Sequence, residues 1–202
     1  MAVTELDDTD FFNPWALAAI VYDSGVNVDL LMGQFAAELS AAGERIGGVV
    51  QLPPGPEGCG PRALMQVLDV GSNEVIRICQ DLGPGASSCR LDPARLLAAS
   101  LRVRMATLAA PDLVFVSRFG KQEASGGGLR DEIARAVMAG VPVLTAVKRS
   151  TVEAWMAFSG GRGTLLYPRL SVLHDWWQDG RRRRRLPPLA ALAREPWQGL
   201  NA

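Results

Sequence analysis

WALAAIVYDSGVNVDLLMGQFAAELSAAGERIGGVVQL, running from Trp15 to Leu52, is the stretch that decides the fold class. Its first part, Trp15 to Tyr22, is an apolar run that stops at Asp23-Ser24-Gly25, the pattern of a buried strand closed by a turn. From Val28 to Ala42 the residues Leu30, Leu31, Phe35 and Leu39 recur at helical spacing, and Gly43 supplies the stop. Arg45 to Leu52 returns to a strand pattern. Strand, helix and strand in so short a span make a parallel crossover the simplest connection.

The rest of the chain repeats that alternation. Pro53 to Pro61 (PPGPEGCGP) is a loop, and Ala63 to Val70 and Glu74 to Cys79 flank the turn Gly71-Ser72-Asn73 as a hairpin. Gln80 to Asp92 lacks any hydrophobic period and reads as a loop. Pro93 then opens a helix over Ala94 to Ala109, with Asp92 as its cap. Strands are expected at Asp112 to Ser117 and Val141 to Val147. Helices are expected at Leu129 to Ala139, at Ser150 to Phe158 with Ser150 or Thr151 as cap, and at Leu170 to Trp177. Strands that are apolar throughout imply a three-layer α/β fold: a mainly parallel sheet with helices on both faces. The expected organisation is a flexible leader over 1–14, one α/β domain over 15–178, and a basic, proline-containing tail over 179–202.

Composition fits one globular domain. Of 202 residues, 48% are hydrophobic, and 21 Lys and Arg balance 21 Asp and Glu, so no global field draws the chain to nucleic acid or anionic lipid. Only Lys121 and Lys148 are lysines. Cys59, Cys79 and Cys89 form no CxxC pair and the single histidine, His174, lies far from them, which argues against zinc and leaves any metal site unassigned. Odd cysteines and an acidic N-terminus make the cytoplasm the expected compartment, and no apolar run reaches the ~20 residues of a membrane helix.

In a parallel sheet, ligands bind outside the carboxyl ends of the strands. A phosphate loop there would read G-x-x-x-x-G-K-[ST], with backbone N–H groups around the phosphates, a lysine to neutralise them and a hydroxyl on magnesium. The first turn instead reads DSGVNVDLL: the second glycine, the lysine and the hydroxyl are missing, and Asp29 would repel a phosphate. SRFGKQEASGGGLRDE, Ser117 to Glu132, packs Arg118, Lys121, Glu123 and Arg130 around Gly120, Gly126, Gly127 and Gly128. Glycines let backbone approach a ligand and the cations suit an anion, or Lys121 and Glu123 are an exposed pair on an ordinary connection. DLGPGASSCRLD, Asp81 to Asp92, would offer Ser87, Ser88, Arg90 and backbone N–H groups to a tetrahedral oxyanion, or be a surface loop whose Asp92 caps the next helix. Cys89 is a candidate soft ligand, Cys79 a core residue, and His174 a surface or packing residue. Arg181 to Arg185 is a charge run expected to be solvated, with nucleic-acid binding disfavoured because aromatic interleaving is missing.

QDLGPGASSCRLDP and SRFGKQEASGGGLRDEI, with the following strand VPVLTAV, resemble a bacterial domain family of unknown function that is commonly encoded beside molybdate-transport genes. The resemblance covers roughly Ala18 to Gly160. That family looks like a degenerate relative of small P-loop nucleoside triphosphatases, in which the strand before the G-K-x-E segment ends in acids; here it ends in Ser117-Arg118. The resemblance implies a P-loop-like fold without the phosphate-loop lysine and a role in handling molybdate or a related oxyanion. The matched residues are Asp81, Gly83, Gly85, Cys89, Arg90, Asp92, Gly120, Lys121, Glu123 and Arg130.

The resulting expectation is a non-hydrolytic oxyanion-binding protein with no catalytic residue assigned. Arg90, Lys121 and Arg130 neutralise the ligand, Ser87 and Ser88 orient it, and Glu123 holds Lys121. No cofactor is expected beyond molybdate or another tetrahedral oxyanion. The rival readings are a nucleotide-binding or nucleotide-hydrolysing protein, and a regulatory or assembly partner that makes contacts through its C-terminal tail. Trp176, Trp177 and Trp197, taken as exposed, suggest that tail contact and a homo-oligomer.

Overall fold

A computed structural model describes residues 14–53, 65–80 and 91–185. Seven strands form one sheet: β1 (Leu17–Tyr22), β2 (Ile46–Gln51), β3 (Gln66–Asp69), β4 (Glu74–Arg77), β5 (Leu113–Phe119), β6 (Val143–Lys148) and β7 (Thr164–Leu166). Their order is β4-β3-β2-β5-β6-β1-β7. The pairs β2–β5, β5–β6, β6–β1 and β1–β7 are parallel, and the hairpin strands β3 and β4 add antiparallel to the β2 edge. The expected mainly parallel sheet is therefore present. The first crossover is longer than a neighbour-to-neighbour step, because β5 and β6 lie between β1 and β2.

Six helices cover the sheet: α1 (Val28–Ala41), α2 (Pro93–Leu108), α3 (Lys121–Ala124), α4 (Arg130–Met138), α5 (Val152–Ser159) and α6 (Leu170–Arg185). Strand residues alternate between the two faces, so each face builds its own core. On one face Met32 and Phe35 of α1 and Leu173, Trp176 and Trp177 of α6 pack on Ile20, Phe115 and Leu144. On the other, Val103 of α2, Ile133 of α4 and Trp155 of α5 pack on Ala19, Val114 and Val143. Gly48 has φ +93°, and a Cβ there would overlap the Phe115 carbonyl, so glycine is what lets β2 lie against β5. Among the described residues, no helix is long and apolar enough to cross a membrane.

Several expected elements change length. β5 continues past Ser117 to Phe119, and the short β7 and α3 are additional elements. Thr151 does occupy the α5 cap, but its side chain makes no cap bond; its Oγ1 donates to the Lys148 carbonyl at 3.0 Å instead.

The largest change is α6, which runs through the arginine run to Arg185, so the expected boundary after residue 178 falls inside a helix. Three of those arginines make side-chain contacts, two of them with residues outside the helix. Arg181 pairs with Glu44, Arg183 lies over the Trp15 ring at 4.9 Å and Arg184 over Trp177 at 4.9 Å. Arg182, Arg183 and Arg184 nonetheless stay exposed, as expected of a solvated charge run. Trp176 and Trp177 are 4% and 3% exposed, so neither offers the outward surface that their sequence position suggested, and Trp197 lies outside the described residues.

Candidate functional site

The carboxyl ends of the parallel strands bring the β1–α1 turn, the end of β5 and the Gln51 end of β2 to one edge of the sheet. Asn27 caps α1, its Oδ1 accepting from the Leu30 N–H at 3.1 Å. Asp29 follows in the first turn, where a carboxylate is favoured by the free N–H groups of the helix end. It is 2% exposed.

Its partner comes from β5. A register shift between Val116 and Phe119 interrupts the pairing with β6, and Arg118 takes φ +48°, a left-handed conformation uncommon for a long side chain. This bulge turns the guanidinium toward α1, where Nε donates to Asp29 Oδ1 at 2.8 Å and Nη2 donates to Oδ2. Burial alone would lower the Arg118 pKa, but the bonds and field of Asp29, with Tyr22 beside it, outweigh that and hold it above its ordinary value. In a phosphate loop an external anion takes the first helix terminus. Here an internal carboxylate sits in that turn and a guanidinium covers it.

The segment after β5 is a clasp built around Glu123. Its Oε2 accepts from the Gly120 N–H at 2.9 Å and its Oε1 from the Leu129 N–H at 3.0 Å, closing α3 onto the start of α4. Gly128 has φ +61°, and a Cβ there would overlap the Glu123 carboxylate. At least this glycine therefore serves internal packing and not ligand approach. Glu123 was expected to hold Lys121; its carboxylate is turned inward, and the exposed Lys121 ammonium has no hydrogen bond or ion pair among the described residues. Arg130 donates to the Glu123 carbonyl at 3.2 Å and lies over the Phe158 ring at 4.6 Å.

Beside the clasp, between the hairpin side of the sheet and α2, lies a cleft of about 200 Å³. Val67, Ile78, Leu91, Leu96 and Leu129 form apolar walls, while Gln51, Ser117, Lys121 and Gln122 supply polar groups. Ser117 is 8% exposed, and its Oγ is buried with no hydrogen-bond partner among the described residues.

The other candidate loop enters this account only through its ends. Asp81, Gly83, Gly85, Ser87, Ser88, Cys89 and Arg90 lie outside the described residues, as does Cys59. The flanking residues Cys79 and Leu91 form an antiparallel bridge, and Ile78 and Leu91 both line the cleft. Asp92 is the cap of α2, its Oδ1 accepting from Ala94 at 3.0 Å and Arg95 at 3.3 Å. Cys79 is fully buried in the core. No group of three or more His, Cys, Asp or Glu able to hold a metal occurs among the described residues. His174 packs edge-on against Phe35 at 5.1 Å with Nε2 2.6 Å from Glu38 Oε2, a contact that holds the Glu38 carboxyl below its ordinary pKa.

Thus the structure brings Gly120, Lys121, Glu123 and Arg130 together, joins Ser117 and Gln51 to them, and assigns Asp92 to a helix cap. The Asp29–Arg118 pair escaped the sequence reading. A signal existed: an acid in a first helical turn beside a buried strand needs a counter-charge, and Arg118 stands at the strand end where the resemblance led to an expectation of acids.

The fold has a solved counterpart. A human cancer-related nucleoside triphosphatase superposes with a TM-score of 0.58 over 84% of this chain and 96% of that one, at 13% identity. The likeness is one of fold. In sequence, the chain is 46% identical over 167 residues to a molybdenum import ATP-binding protein, ModC 2, of Bradyrhizobium diazoefficiens. That alignment takes in 83% of this chain and 18% of the relative, so the chain spans about a fifth of the relative's length. Residues 17–176 match the family described as protein of unknown function DUF2478, and the chain belongs to that family.

Proposed function

We propose that this chain is a non-hydrolytic oxyanion-binding protein in molybdenum handling, with molybdate as the leading tetrahedral ligand. The observation that carries the first half is the Asp29–Arg118 pair. A carboxylate at the first helix terminus repels the phosphates that a nucleotide would place there, and the guanidinium at the end of β5 would repel the magnesium that hydrolysis needs. Lys121, exposed and without an ion-pair partner among the described residues, is the cation left for an external anion, with Arg130 beside it. Ser87, Ser88 and Arg90, which lie outside the described residues, are proposed from the sequence alone as further groups for the anion. The element is proposed from the molybdenum import relative.

The test has two arms on the purified chain. Calorimetric titration with molybdate, tungstate, sulfate and phosphate should show binding at millimolar concentration or tighter. Incubation with ATP or GTP and magnesium should release no phosphate. Absence of binding to all four anions overturns the reading, and nucleotide hydrolysis at an enzymatic rate replaces it with the rival one.

One observation favours a second reading, a regulatory or assembly module. The homologous segment is contained in a much longer ATP-binding protein, of which it covers 18%. Adding this chain to such a transporter ATPase and finding a changed rate without any oxyanion present would favour that reading.

A further inference from the structure

We infer that the cleft between the hairpin side of the sheet and helices α2 and α3 takes an organic anion: a compact, single-ring-sized apolar body that carries a phosphate, carboxylate or similar oxyanion group. The inference rests on the anion-binding reading above and extends its ligand class from bare oxyanions to organic anions. The cleft holds about 200 Å³. An apolar cavity of about 150 Å³ is enough to bind benzene, so the space suits one ring and not a nucleotide.

Its two ends differ in chemistry. Val67, Ile78, Leu91 and Leu96 form walls that give a bare, strongly hydrated oxyanion no hydrogen bond, and an anion surrounded by such side chains loses its water without compensation. The polar end holds Ser117 and Lys121. Ser117 lines this end with a hydroxyl that is buried and without a partner among the described residues, and a ligand oxygen would satisfy it once the atoms covering it give way. The Glu123 carboxylate is spent on the Gly120 and Leu129 N–H groups and leaves Lys121 without a counter-ion. An apolar body in the walls with its anionic group on Ser117 and Lys121 uses both ends.

The probe is phenyl phosphate, titrated calorimetrically into the full chain beside inorganic phosphate, molybdate and phenol. Phenyl phosphate should bind at least tenfold more tightly than inorganic phosphate or phenol. Lys121→Ala, at an exposed position, should weaken it fivefold or more. Ser117→Ala should also weaken it while raising the melting temperature of the free protein, because it removes an unpaired buried hydroxyl; a lowered melting temperature would show an internal partner and overturn the role of Ser117. Molybdate or inorganic phosphate binding as tightly as phenyl phosphate overturns this inference and leaves the oxyanion reading standing. Phenyl phosphate binding with no molybdate binding supports it and overturns molybdate as the ligand. No binding by any of the four overturns both.

Discussion

Arg118 and Asp29 lie 89 positions apart in the chain, yet Nε of one stands 2.8 Å from Oδ1 of the other at the carboxyl edge of the sheet. The pair joins β5 to the first turn of α1, and Asp29 is nearly enclosed while the Arg118 side chain is 37% exposed.

Breaking this pair from one side strands a charge. Arg118→Met leaves the Asp29 carboxylate buried without its cation and should cost about 2–3 kcal/mol, less than the roughly 3–5 kcal/mol of a fully buried pair because the guanidinium is partly solvated. Arg118→Met combined with Asp29→Leu should lose less than the sum of the single losses. Urea unfolding of the four proteins checks this. A single variant within 0.5 kcal/mol of wild type, on the order of an ordinary surface substitution, would show that the pair holds nothing.

The Glu123 clasp makes a second prediction. Glu123→Ala removes a carboxylate that accepts two N–H bonds and should destabilise by about 2–4 kcal/mol. Glu123→Gln should fall between, because its amide offers one acceptor oxygen and presents an N–H₂ to the other donor. Gly128→Ala should be at least as harmful as Gln, since its Cβ meets the carboxylate at φ +61°. Chemical denaturation of the three variants gives the order directly.

The arginines of α6 are expected to act as fasteners. Replacing Arg183 or Arg184 with Ala should cost about 0.5–1 kcal/mol each through lost stacking on Trp15 and Trp177. A melting temperature unchanged by the double replacement would contradict this. The same helix should give no salt-dependent binding to single-stranded RNA at physiological ionic strength, measured by fluorescence anisotropy.

Acid should weaken one surface link in a defined direction. The Asp112 pKa is held below its ordinary value, first by the hydrogen bond from the Arg45 side chain, against which burial works. Because the folded value lies below the unfolded one near 3.9, the unfolded chain takes up the proton first. The contribution is present above about pH 4 and is lost as pH falls through the folded pKa. Arg45 is 68% exposed, so Asp112→Asn should flatten the acid limb of stability against pH by less than about 1 kcal/mol.

What could be read beforehand was what local pattern encodes. Leu30, Leu31, Phe35 and Leu39 announced α1, the turn at Gly71-Ser72-Asn73 announced the hairpin, and Asp92 before Pro93 announced the start of α2. Two elements stayed hidden because they are too short to repeat a pattern: three residues in β7 and four in α3. The contacts of the arginine run stayed hidden because charge pattern says nothing of Trp15 and Glu44, the distant residues that receive it. The candidate site divides in the same way. Lys121 and Arg130 stood out as cations beside glycines, whereas the inward turn of Glu123 and the partnerless hydroxyl of Ser117 exist only once distant segments have met.

Under the proposed function this chain binds an oxyanion without hydrolysing a nucleotide, and Lys121 is the cation that holds it. Calorimetric titration of molybdate into wild type and Lys121→Ala, at equal protein concentration and ionic strength, tests it most directly. The account predicts binding by wild type and at least a tenfold loss, about 1.4 kcal/mol, in the variant. Equal binding by the two proteins, or none by wild type, would contradict it.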